Sequence, residues 1–132
     1  MGNAFSNLVF KNGALYQGQV SSSRMLANIK DGKVYKGSSS TSSNILFTVK
    51  SGKVFKGNST TSSNCCYTIN DGKVYQGGYV SSSKQVLTVK NGQIYKGSQA
   101  TSSNLLGSID GAERLATEYV VGLLCAINFL AP

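Results

Sequence analysis

The 132-residue chain has no histidine and no tryptophan, a single proline (Pro132), three cysteines and five acidic side chains. Each scarcity excludes chemistry. Without histidine there is no Ser-His or Cys-His nucleophile pair, no HExxH zinc site and no side chain that ordinarily titrates near neutrality. Three cysteines, two of them adjacent (Cys65, Cys66, with Cys125 alone), do not form the even, spaced set of a disulfide-stapled secreted domain. The amino terminus lacks a basic segment followed by an apolar one, as a secretory signal requires. Met1-Gly2 with Ser6 fits only a short acylation pattern that recurs by chance. The longest apolar stretch, Tyr119 to Leu130, falls short of the ~20 residues that cross a bilayer. These absences predict a reduced, cytoplasmic protein with no membrane span, no metal and no cofactor. What the chain does have is thirteen Lys and Arg, for a net charge of +8. Glycine and serine are also abundant, and they recur in register.

Asn, Asp or Ser followed by Gly appears at 12–13, 31–32, 51–52, 71–72, 91–92 and 110–111, in steps of 19 or 20 residues. Five of these dipeptides lead into an aliphatic–aromatic–x–Gly run, for example Val34-Tyr35-Lys36-Gly37 and Val54-Phe55-Lys56-Gly57. β-prone runs such as Ile45–Lys50 and Gln85–Lys90 precede them. Two such runs around Asx-Gly predict a hairpin with a type I′ turn, because both central residues must take positive φ. The unit is therefore strand, tight turn, strand and a Ser/Thr/Asn corner, repeated five times over about residues 5–109, with a spare strand near Leu105–Ile109. A two-residue turn also sets register, placing Val49 opposite Val54, Thr48 opposite Phe55 and Phe47 opposite Lys56. Ile45, Phe47, Val49 and Val54, with Cys65, Tyr67, Ile69 and Val74 in the next hairpin, read as the core face. Leu46, Thr48, Lys50, Lys53 and Phe55 read as the other, mixed face.

A lone hairpin is marginal in water, so five of them need a common partner. The carboxyl-terminal segment, about residues 111–130, supplies it. Asp110 and Glu113 resemble a helix start, and apolar residues beyond Tyr119 fill every side of the helix. Burying Val120, Val121, Leu123, Leu124, Ile127, Phe129 and Leu130 at ~1.5–3 kcal/mol each rivals a whole domain's net stability of ~5–15 kcal/mol. The fold class predicted is mainly β: a single domain over 1–132, with five ~20-residue hairpin repeats in a pseudo-five-fold closed ring around a buried C-terminal α-helix.

Few side chains suggest chemistry. Asp31, Asp71 and Asp110 are turn or cap residues, and Glu113 and Glu118 lie on different helix faces, so no carboxylate pair stands out. Adjacent strand residues point to opposite faces, which makes Cys65 and Cys66 poor joint metal ligands and better small hydrophobes. The serine corners are expected to turn through side-chain-to-backbone bonds, or alternatively to line a rim for a small molecule or glycan. The basic–aromatic face stands apart. Lys33, Lys53 and Lys73, with Tyr35, Phe55, Tyr75 and Tyr95 a step inward, are the candidate ligand-binding residues, for an anionic polymer such as nucleic acid or polysaccharide. Lysines at hairpin edges also deter sheet aggregation, the structural reading of the same residues. No residue is a candidate catalytic group, and the chain is read as a non-enzymatic binding or structural module.

Five copies of a motif like Gly32-Lys33-Val34-Tyr35-Lys36-Gly37, Ser-rich links and an apolar C-terminal helix resemble the small bacterial five-fold β-flower proteins, over roughly residues 8–130. That resemblance implies a ring of hairpins about a helix and carries over no activity and no catalytic residue. The turn-proximal G-x-x-Y-x-G is also similar to MORN repeats, but the period here is shorter and the opposing strand lacks their G-x-G. Choline-binding modules share the period, but they depend on Trp cages that this chain cannot build.

Overall fold

The computed structural model describes residues 7–131; the acylation pattern at Gly2 and Ser6 lies outside them. Five hairpins follow one another: β1 (Leu8–Lys11) with β2 (Ala14–Gln17), β3 (Met25–Lys30) with β4 (Lys33–Lys36), β5 (Ile45–Lys50) with β6 (Lys53–Lys56), β7 (Cys65–Asn70) with β8 (Lys73–Gln76), and β9 (Gln85–Lys90) with β10 (Gln93–Lys96). A lone strand, β11 (Leu105–Asp110), precedes the α-helix α1 (Thr117–Ala126). The strands close into a barrel, and the seam is a parallel pairing of β1 with β11, Leu8 against Ile109. Among the described residues no helix is long and apolar enough to cross a membrane.

Turn chemistry sets each hairpin. Asn12, Asp31, Ser51, Asp71 and Asn91 take φ of 51–54°, and the glycines after them take 73–80°, the paired positive values of a type I′ turn. Val49 faces Val54, Thr48 faces Phe55 and Phe47 faces Lys56, as the two-residue turn requires. The chain thus carries five complete hairpins, yet its ring has six members. Gly13, Gly32, Gly52, Gly72 and Gly92 each accept, through the carbonyl, the amide of the following long strand at 2.7–2.9 Å, the last from Ile109 in β11. The sixth turn glycine, Gly111, lies against the Phe10 backbone of β1 and completes the circuit. A sixth short strand is missing because Gly111 leads into the turn before α1, so β11 meets β1 in parallel.

Between hairpins the register shifts by one residue at Leu15/Tyr16, Val34/Tyr35, Val54/Phe55, Val74/Tyr75 and Ile94/Tyr95. The shift corrects the expected faces. Ile45 and Cys65 pair with Tyr35 and Phe55 on the outer surface, whereas Leu46 and Cys66 pack against the core with Leu26, Val86 and Leu106. A bulge sets two residues against one, and alternation counted back from the turn fails beyond it.

Inside the barrel Leu15, Val34, Val54, Val74 and Ile94, one from each short strand, are 0% exposed and share one core cluster with Val120, Val121, Leu123 and Leu124 of the helix, also 0%. The helix lies closest to β3–β7. Its six consecutive buried residues, Val120–Cys125, show that it is wrapped on all sides, as an apolar helix in water must be. Gly122 permits the approach, since a Cβ there would stand 3.0 Å from a Val34 methyl.

The helix is shorter than the expected 111–130. Glu113 turns its carboxylate back to accept the Gly111 amide at 3.0 Å, so the cap-like contact exists but closes a turn instead of starting a helix. The end is set by Asn128 at φ 64°, whose amide bonds Cys125 O while the Phe129 amide bonds Leu124 O. That is a Schellman termination, and it delivers Phe129 and Leu130 back into the core.

Candidate functional site

The candidate residues occupy the outer wall in columns, one per hairpin. Tyr35 lies between Asn28 and Ile45, Phe55 between Thr48 and Cys65, Tyr75 between Thr68 and Gln85, and Tyr95 between Thr88 and Leu105. Neighbours on both sides leave these four rings only 6–9% exposed. They therefore act as outer-wall packing beneath the lysines, and no open ring face is presented for a base to stack on.

Beside each aromatic runs a buried polar line. Thr48, Thr68 and Thr88 donate their hydroxyls to Gly57 O, Gly77 O and Gly97 O at 2.8 Å, and Asn28 donates its amide to Gly37 O at 2.7 Å. These bonds satisfy the carbonyls at which the chain leaves the second to fifth hairpins.

The lysines differ among themselves. Lys33 and Lys53 are half-buried and Lys73 is exposed. Lys53 Nζ donates to Gly78 O at 2.6 Å and to Thr68 Oγ1 at 3.2 Å, tying its hairpin to the next. Lys30 stands directly opposite Lys33, and Lys50 opposite Lys53, while Lys73 faces Asn70. Lys53 and Phe55 come together in one depression, about 220 Å³, with Thr60, Ser62, Cys65 and Gly78.

At the opposite end of the strands the serine corners each make a single 3₁₀ turn, such as Ser42–Asn44 and Ser62–Asn64. Their hydroxyls bond mostly to one another two residues apart, as in Ser39 with Thr41 at 3.0 Å and Ser59 with Thr61 at 3.1 Å. Bonds between hydroxyl and backbone are the smaller part, as where the Thr41 amide donates to Ser39 Oγ at 3.3 Å.

This end also holds a mouth that the pattern of motifs did not single out. Lys36, Lys56, Gln76 and Lys96 end their strands opposite Ala27, Phe47, Tyr67 and Leu87, which are core positions. Alternation aims these polar residues inward where the core has run out. The signal was present, since the residue after each aromatic has the parity of the core valine before it. Two clefts open there on either side of Gln76 and Ala131, one of about 340 Å³ toward Lys96 and one of about 330 Å³ toward Lys56.

Below the mouth, burial pushes the Tyr67 phenol up to about 12, with Cys125 and Cys66 adding to the shift, and its hydroxyl donates to Ala131 O. Burial, then Cys65, raises the Cys66 thiol against the pull of Lys56, and burial, then Cys66, raises Cys125 well above the usual thiol range. These protonated, free thiols are weak nucleophiles. Among the described residues no three His, Cys, Asp or Glu side chains gather as a metal site.

The family model described as "6-fold beta flower protein" matches residues 5–117. No curated protein and no solved structure matches the chain.

Proposed function

The chain belongs to the six-fold β-flower family, and we propose that this member is a non-enzymatic cytoplasmic binding module that takes an anionic polymer, nucleic acid or polysaccharide, along the lysines at its turn-bearing rim. The observation that carries the reading is the direct opposition of Lys30 to Lys33, with Lys50 exposed beside the next turn while Lys53 Nζ is drawn away from it to Gly78 O and Thr68 Oγ1. Like charges directly across a strand pair destabilise it, and a fold that needed only soluble turns would avoid them. A line of phosphates or sulfates relieves that repulsion. Lys73 and Lys90, beside the next two turns, extend the positive rim around the barrel. Tyr35, Phe55, Tyr75 and Tyr95 stiffen the wall from which the lysines project. A net charge of +8 draws a polyanion from a distance.

Titration of the full chain with a single-stranded oligonucleotide, heparin and a neutral oligosaccharide at two salt concentrations tests this. Four to six phosphate contacts predict a log–log salt slope of about −3 to −4 on single strands. Replacing Lys30 and Lys50 by Gln should flatten that slope. Affinity for the neutral sugar alone, indifferent to salt, would overturn the proposal.

A further inference from the structure

We propose that the mouth cleft between β8 and β10 is a binding site for a small organic anion with one oxyanion head and an apolar body. In a repeat protein, equivalent positions sit in equivalent surroundings, so departures that converge in space are informative. At the first position of the long strands, Met25, Ile45, Cys65 and Leu105 are apolar or nearly so, and Gln85 alone brings an amide. At the last position of the short strands Gln76, like Gln17 of β2, stands where the other three have Lys, and it falls between Lys56 and Lys96, which end the two flanking hairpins. Both glutamines line the same cleft.

The chemistry of the walls defines the ligand. Val86 and Leu130 supply apolar surface, the Gln76 amide supplies a donor and Lys96 supplies one cation, while Gln85 Nε2 is held by Thr88 Oγ1 at 3.3 Å and by Leu87 O and Gly97 O at 3.5 Å and braces the wall. A mostly apolar cavity with a few converging polar groups is the usual composition of a small-molecule site, and about 340 Å³ is near the lower end of the size range for such sites. One ammonium on the cleft matches a singly charged head. Lys56 stands across Gln76, two strands and roughly 9–10 Å away, near enough to add long-range attraction. The site lies at the other end of the strands from the lysine rim, so the two functions are separable.

Octanoate is the probe, with octanol and acetate as its uncharged and tail-less counterparts, titrated into the isotopically labelled full chain and read by amide chemical shifts. Octanoate should move the amides of Gln76, Gln85, Val86, Gly97 and Ala131, and bind at least tenfold more tightly than either counterpart. Lys96→Gln, at an exposed position that leaves the core untouched, should weaken it fivefold or more. Replacing Lys30 and Lys50 by Gln should leave octanoate binding unchanged while weakening the polymer. Shifts spread evenly over all hairpins, octanol binding as well as octanoate, or a Lys96→Gln variant equal to the parent would each overturn the proposal.

Discussion

Alanine at Gly111 strikes the seam on which closure depends. Gly111 has φ 89°, and a Cβ there would collide with Phe10 O and lie 3.2 Å from Phe10 C. Both are backbone atoms of β1, so no rotamer change relieves the clash, and β1 must move off β11. Positive φ alone costs an L residue ~1–2 kcal/mol. Overpacking adds ~1–3 kcal/mol, and separating a seam of parallel bonds adds more at ~0.5–1.5 kcal/mol each. The sum, about 3–6 kcal/mol, is a large part of a typical domain's ~5–15 kcal/mol. Gly57 is the matched control, with φ 71° and nothing within 4 Å of the place a Cβ would take. Gly57→Ala therefore incurs the conformational term alone, about 1–2 kcal/mol. Urea unfolding followed by circular dichroism, with common slopes for the variants, measures both. Equal losses for Gly111→Ala and Gly57→Ala would refute the reasoning, because they would mean that the seam carries no tight backbone contact.

Two further changes probe other parts of the fold. Ser51 holds φ 54° where four other hairpins use Asn or Asp, so Ser51→Asn should stabilise by about 0.5–1 kcal/mol in the same assay. The Tyr67 phenol, raised from about 10 to about 12, keeps its proton in the folded state while the unfolded chain ionises. Its contribution is complete below pH 10 and is lost as pH rises toward 12, by at most about 2–3 kcal/mol. Tyr67→Phe should lack that part of the alkaline decline, and identical pH profiles for the two proteins would contradict the assignment.

The sequence made the hairpins legible because Asx-Gly determines both a turn and the register beside it. Val49 against Val54 needed nothing more. Its reach ended at the bulges: the corner after Gly57 is long enough to allow several registers, and only packing in the closed ring selects the one that turns Cys65 outward and Cys66 inward. The helix was legible from its all-round apolar surface, but its start was not. Gly111 is held at positive φ by the seam, and tertiary contact there outweighs the local signal of Asp110 and Glu113. The lysines of the outer wall could be read from alternation, whereas the burial of Tyr35 and Tyr75 depends on the neighbouring hairpins. The mouth is not legible in the sequence because Gln76 and Lys96 have core parity, and parity does not reveal where a core ends.

The central claim is that the hairpins are wound about the helix, and amide hydrogen exchange at Leu123, Leu124 and Cys125 tests it most directly. Enclosed on every side, these amides should exchange only when the whole barrel opens, with protection equal to the global unfolding free energy from urea and falling in step with it in Gly111→Ala. Protection well below the global value, unaffected by that substitution, would mean that the helix leaves a barrel that stands without it.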